Sequence, residues 1–354
     1  MTHPHPPTTP TTPTAPGPRP APVRPAPVRP AGIVVLGSLN MDLVAYVAQA
    51  PARGETVTGR AFRTLPGGKG ANQAVAAARA GAEVAMIGAV GTDGFGTRLR
   101  TALDRSGVDT DLVRTAEGPS GTAHIVVDDE GGNAIVVVPG ANSAVTSLDH
   151  GDEALIATAD LLLLQLELPL PAVTAGARTA RAHGVRTVLT PAPVPARPLP
   201  PALLAATDLL VPNQHEAAAL TGRTDPYAAA RALLADVPEV VVTLGAAGCL
   251  YAARGREPVT VPAPRVTAVD TTAAGDTFVG ALAVALAEGR PMPAALAWAS
   301  AAAALSVQRE GASPSMPYRA EIDAVLAPAP GGTEAERDSA PDSGREADRE
   351  ADRV

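Results

Sequence analysis

The chain has 354 residues, long enough for one large domain or two modest ones. Aromatic residues make up only 2% of it, which excludes base-stacking platforms for nucleic acid and leaves Ala, Val and Leu to build the core. A net charge of −8 has the wrong sign for a nucleic-acid backbone or an anionic membrane surface, so neither is an expected partner. The single cysteine, Cys249, has no partner for an internal disulfide, and no charged segment followed by an apolar run opens the chain. A cytoplasmic protein is expected.

Residues 1–30 hold twelve of the 37 prolines in a Thr/Pro tract ending PAPVRPAPVRP. That composition buries too little apolar surface to offset its ordering entropy, and predicts a disordered arm. From GIVVLGS (32–38) onward, short apolar runs alternate with Ala-rich stretches: EVAMIGAV (83–90), LLLLQLEL (161–168), RTVLTP (186–191), DLLVPN (208–213) and EVVVTLG (239–245). Such strands belong to a parallel sheet buried on both faces, with crossover helices between them. Helices are predicted at about 70–80, 94–106, 149–158, 172–183, 214–221, 227–235, 275–288 and 293–308. The fold class is therefore α/β, doubly wound, with a mainly parallel sheet flanked by helices. Residues 43–64 and 122–138 alternate as strands outside this rhythm and are read as a small antiparallel lid. The apolar runs 278–287 and 294–307 are too short to span a membrane. From Ala329, eight acids and four arginines in a stretch nearly free of apolar residues predict a solvated, disordered tail, which leaves 31–328 as the folded unit.

Five segments carry chemistry. In VDTTAAGDTFVGAL (269–282), small residues Ala273, Ala274 and Gly275 lead directly into a helix, where free N–H groups and the helix dipole converge on an anion. Asp276 is either a favourable acid in the first turn of that helix or a base placed to take a proton from an attacking hydroxyl. In PGGKGANQAVAAARAG (66–81), Gly67 and Gly68 permit close backbone approach, with Lys69 and Asn72 at the head of an Ala-rich helix. This is not a Walker A loop, since Gly rather than Ser/Thr follows the lysine. Lys69 is the only lysine in the chain, every other basic residue being arginine. In GSLNMD, Asn40 and Asp42 stand just past the first strand, either as an Asx turn or at the carboxyl edge where α/β sheets bind ligands. In QLELP, Glu167 ends an apolar strand and needs a partner. Asn213 and Glu216 in NQHE open a helix, as a cap or as a water-mediated Mg²⁺ contact.

In order and content these segments resemble the ribokinase subgroup of the PfkB carbohydrate kinase family, together with GETVTG, VTLGAAG and REGASPSMP, over nearly all of 31–328. The resemblance implies a ribokinase-like fold and ATP-dependent phosphorylation of D-ribose at O5. It makes Asp276 the base, with the N–H groups of Ala274 and Gly275, beside Ala273, as the anion hole. Sugar contacts would be Asn40, Asp42, Gly68, Lys69, Asn72 and Glu167, with Asp42 accepting from a vicinal diol. ATP and its Mg²⁺ would meet Asn213, Glu216 and the loop Thr243, Leu244, Gly245, Ala246, Ala247 and Gly248, with Gly275 at the phosphates. An activating K⁺ would be held by Asp270, Thr272, Ser306, Arg309, Gly311 and Ser315, and the lids of two subunits would interlock in a homodimer. Ser300 departs from the His or Asn common near the adenine, and Thr190 stands where the family usually has Asn. Kinases of fructose, a nucleoside or 2-keto-3-deoxygluconate, and a non-catalytic sugar-binding regulator, are the alternatives. A Rossmann dehydrogenase is not, because GAVGTDG (88–94) has the wrong glycine spacing.

Overall fold

The computed structural model describes residues 30–327. The arm predicted at 1–30, save Pro30, and the tail predicted at 329–354 lie outside the described residues. The chain begins with β1 (Gly32–Leu36), β2 (Asn40–Tyr46), β3 (Ala61–Gly67) and α1 (Lys69–Arg79). Next come β4 (Glu83–Gly91), α2 (Gly94–Arg105), β5 (Val108–Asp109), β6 (Val113–Ala116), β7 (Gly121–Val127) and β8 (Asn133–Val138). The middle of the chain forms α3 (His150–Thr158), β9 (Leu161–Leu164), α4 (Leu170–Ala182), β10 (Arg186–Leu189), α5 (Pro201–Ala205), β11 (Leu209–Leu210), α6 (Gln214–Thr221) and α7 (Pro226–Leu233). It ends with β12 (Glu239–Thr243), β13 (Cys249–Ala253), β14 (Val259–Val261), α8 (Ala274–Ala287), α9 (Met292–Ser306) and α10 (Arg319–Leu326).

The main sheet runs β14-β13-β12-β11-β10-β9-β1-β4-β5, with β6 also paired to β4. All its pairs are parallel except β12·β13 and β13·β14. Side-chain alternation explains why the central strands read as unbroken apolar runs. Ile33 and Val35 pack into one layer with residues of α1, α8 and α9, while Val34 and Leu36 pack into the other with α3, α4 and α7. Each layer is itself rich in alanine, which lets α1 and α8 lie close together: a Cβ on Gly280 would stand 2.6 Å from the Ala76 Cβ. Among the described residues, no helix is long and apolar enough to cross a membrane.

The second sheet, β3-β2-β7-β8, corrects the expected lid. Its outer pairs are antiparallel, but the central β2·β7 pair is parallel, and its strands begin at Asn40 and Gly121 rather than at 43 and 122. Both central strands leave the main sheet in the same direction and each returns through a hairpin partner, so they meet side by side. Five predicted strands are also shorter, β10 and β12 each by two residues. β9 stops at Leu164, so Gln165 and Glu167 lie in the turn beyond it; β1 stops at Leu36; and β11 keeps two residues, with Asn213 forming an isolated bridge to Thr243.

Candidate active site

The residues singled out in five distant segments converge at the carboxyl ends of the parallel strands, between the main sheet and the lid. Asp276 lies in the first turn of α8 and is 8% exposed. Two amides from α1 hold it: Asn72 Nδ2 donates to Oδ2 and Gln73 Nε2 to Oδ1, each at 3.1 Å. Burial pushes its carboxyl above the usual range, while the Lys69 ammonium and the Gln73 and Asn72 donors pull the other way. The turn before α8 passes through Ala273 at φ +56°, a left-handed conformation that costs a non-glycine residue about 1 kcal/mol or more. That turn points Ala274 N–H to the Thr271 carbonyl at 3.2 Å. Of the N–H groups expected to form an anion hole, that of Ala274 is taken up in this way, whereas those of Gly275 and its neighbour Asp276 have no acceptor among the described residues.

Beside Asp276, Lys69 makes no direct ion pair among the described residues. Burial works against its ammonium, but the carboxylates of Asp276, Glu167, Glu216 and Asp42 outweigh that and raise its pKa. Glu167 acts as a local anchor: its Oε2 accepts from the Ser38 hydroxyl, from Lys69 N–H at 3.1 Å and from Asn40 Nδ2 at 3.4 Å. Asn40 Oδ1 in turn accepts from Asn142 Nδ2 at 2.8 Å. Asp42 has no donor among the described residues and is nearly enclosed; burial, then Glu167 and Asp276, push its carboxyl up to about 7, against Lys69. Gly68 has φ +93°, and a Cβ there would stand 2.7 Å from Asn40 N, so only glycine brings α1 this close to β2.

On the other side of Asp276, a cavity of about 200 Å³ is lined by Lys69, Thr190, Asn213, Glu216, Gly275 and Asp276 among others. It shares Thr243, Thr271, Ala274 and Gly275 with a second, mostly apolar cavity of about 380 Å³. Gly245, Ala246, Gly248, Phe278 and Ser300 line that second space; Leu244 and Ala247 of the predicted loop do not. Ser300 lies against Cys249, whose thiol burial pushes up to about 11, which makes it an inert core group. Asn213 and Glu216 do form a capping box, each side chain accepting from the other's N–H at 2.8 Å. The expected cation residues lie on two adjoining segments, one ahead of α8 and one that starts at Ser306, the last residue of α9. Asp270 clasps them, accepting from Thr272 N–H at 2.9 Å and Gly311 N–H at 2.8 Å, while the Arg309 side chain turns to Glu321. Ser306 and Ser315 each donate their hydroxyl back to their own turn, to the carbonyls of Ala303 and Ala312.

A buried carboxylate beside free helix N–H groups, at the junction of a small polar and a larger apolar cavity, is the layout of a phosphoryl-transfer site. Residues 31–319 match the pfkB family of carbohydrate kinases. The chain belongs to that family. A ribokinase of Bacillus subtilis is 45% identical over 298 residues, spanning 83% of this chain and 99% of the relative. A ribokinase of Schizosaccharomyces pombe is 42% identical over 308 residues, spanning 82% and 96%. Among solved structures, a ribokinase of Arabidopsis thaliana complexed with ribose and ATP superposes with a TM-score of 0.78 at 35% identity, covering 84% of this chain and 99% of that one.

Within this pfkB kinase, four groups of the site were not singled out from the sequence. Ser38, Gln73, Asn142 and Gln165 are all buried and all hydrogen-bonded to predicted site residues or to one another. Gln73 did leave a trace: it is polar, adjacent to Asn72, and placed in a run of alanines that reads as a buried face. Gln165 left a similar one, two residues before Glu167. Asn142 left none, because its partners are about a hundred residues away in sequence.

Proposed function

We propose that this protein transfers the γ-phosphoryl group of ATP to O5 of D-ribose, giving D-ribose 5-phosphate and ADP. The observation that carries this reading is Asp276, buried and aligned by two amides beside unpaired N–H groups at the wall common to both cavities. Ribose as the sugar is supported by the ribokinase relatives and by the ribose and ATP of the Arabidopsis structure. Asn40, Asp42, Gly68, Lys69, Asn72 and Glu167 surround the sugar. Asp42, lacking any internal donor, accepts from two adjacent hydroxyls. Asp276 takes the O5 proton as O5 attacks the γ-phosphorus and the bond to the ADP oxygen breaks. Charge on the transferring group is met by the N–H groups of Gly275 and Asp276 and by Lys69. The nucleotide occupies the apolar cavity along Thr243–Gly248 and Ser300, and the lid excludes water. An ATP-consuming reaction and a single buried cysteine suit the cytoplasm.

The donor sets fit the two expected cations. Glu216 keeps Oε1 free of any donor among the described residues, facing the phosphate-side cavity, which suits a hydrated divalent ion near Asn213 and Glu216. Mg²⁺ bound with ATP neutralises part of the triphosphate charge. The segments carrying Asp270, Thr272, Ser306, Arg309, Gly311 and Ser315 offer carbonyl oxygens, a donor type suited to K⁺, and connect to the anion hole through Thr271. The lid supports a homodimer: β8, one of its two edge strands, exposes Ile135, Val136, Val137 and Val138 on both faces, and Phe62 is exposed on the other edge strand, β3.

A substrate panel at fixed Mg·ATP tests the reading. D-Ribose is expected to give the highest kcat/KM, ahead of 2-deoxyribose, fructose, adenosine and 2-keto-3-deoxygluconate; a higher value for any of these would replace ribose as the substrate.

A further inference from the structure

Behind Asp276 lies a chain of buried amides that the phosphoryl-transfer scheme does not use. Gln73 is fully enclosed, at 0% exposure. Its Nε2 carries two protons, and both have acceptors on different elements: Asp276 Oδ1 at 3.1 Å on α8 and Thr190 Oγ1 at 3.2 Å in the loop after β10. Its Oε1 accepts from Gln165 Nε2 at 2.7 Å. Gln165 fits there because Gly37 has no side chain; a Cβ on Gly37 would collide with Gln165 Oε1. This pattern leaves Gln73 one orientation. Flipping its amide would set Oε1 against the Asp276 carboxylate and Nε2 against the Gln165 donor, two repulsions in a buried site.

Thr190 extends the consequence to the phosphate side. Its Oγ1 is occupied as an acceptor by Gln73, and its own proton has no acceptor among the described residues. Thr190 lines the small cavity with Lys69, Asn213, Glu216, Gly275 and Asp276, so that proton is available to a phosphoryl oxygen there. We propose that Gln73 is a positioning residue of the transfer step, a single amide that orients both the Asp276 carboxylate and the Thr190 hydroxyl. The two aligned amides, Gln165 and Gln73, turn their donor ends toward Asp276 and favour its ionised form against burial. The proposal rests on Asp276 being the base.

The test is steady-state kinetics across pH for Gln73→Leu and Gln73→Glu, with ribose and Mg·ATP varied in turn and folding checked by thermal melting. The expected result is a kcat lowered about 10- to 100-fold, the scale of a misplaced reacting group, with KM for ribose nearly unchanged. The acid limb of the kcat profile moves to higher pH, because the lost donor no longer favours the carboxylate. Lys69, Glu167, Asp42 and Glu216 also act on the Asp276 charge, and none of them is altered by these substitutions. Thr190→Val lowers kcat without moving the limb, and Thr190→Ser recovers most of that loss. A Gln73 variant that melts like the wild type and keeps both its kcat and its acid limb would overturn the proposal. So would a kcat that falls only in step with the folded fraction while the limb stays in place. Asp276→Asn, measured alongside, separates the two readings: near wild-type turnover there removes the base assignment itself, whereas its loss beside a normal Gln73→Leu removes only the positioning role.

Discussion

At the scale of single residues, the site is a group of acids held around one lysine, and the cost of that arrangement is concentrated on Asp42. Its pKa of about 7 lies above the 3.8 of an unfolded aspartate. Between those values the native chain holds a proton that the unfolded chain has released, so stability falls as pH rises through that window. Asp42→Asn is therefore expected to raise Tm at pH 8 by more than at pH 5; equal gains at both would contradict the burial of this charge. The same substitution should raise KM for ribose about 10²- to 10⁴-fold, two charge-assisted hydrogen bonds of about 1.5 to 3 kcal/mol each being lost. In the wild type, KM should climb as pH drops below about 7. Lys69 was legible in the sequence because it is the one lysine of the chain, and Asp276 because of the small residues before it. Gln73 and Asn142 were not, since a buried amide is recognised by its partners and those come from α8, the loop after β10 and β2.

At the scale of elements, the long apolar strands and the eight main helices were legible because periodicity and flanking turns coincide with them. Most of the elements that escaped are short. β5, β14 and α5 have two to five residues each, too few for a pattern, and exist because a neighbouring strand or layer holds them; the eight-residue α10 escaped as well. The parallel β2·β7 pair was hidden for another reason: strand direction in a lid depends on where each strand leaves the main sheet. That lid has a testable edge. Val136, 64% exposed on β8, would be covered in the proposed dimer. Val136→Asp is expected to shift the protein from dimer to monomer in sedimentation velocity, and an unchanged sedimentation coefficient would remove the lid as the interface. The clasp of Asp270 on Thr272 and Gly311 joins the two segments proposed to hold K⁺, just ahead of the turn that opens α8. Replacing K⁺ by choline at constant ionic strength should accordingly lower kcat, and a rate that does not respond would remove that site.

At the scale of the whole molecule, a net charge of −8 provides no general field to draw in ATP. Under the proposed scheme phosphate binding rests on local donors: two backbone N–H groups, Lys69 and the cation carried by the nucleotide. All residues assigned to the site lie between Ser38 and Ser315, within the family match of 31–319. A chain of residues 30–327 should then keep the kcat and Tm of the full sequence, and a marked loss of either would assign a role to the flanking segments. The central claim is that Asp276 drives phosphoryl transfer from ATP to ribose. Its most direct test is ADP release on adding D-ribose to the protein with Mg·ATP and K⁺, for the wild type and for Asp276→Asn. Ribose-dependent ADP release that falls about 10²- to 10⁴-fold in the variant is the predicted result; release that does not depend on ribose, or that survives in the variant, would contradict it.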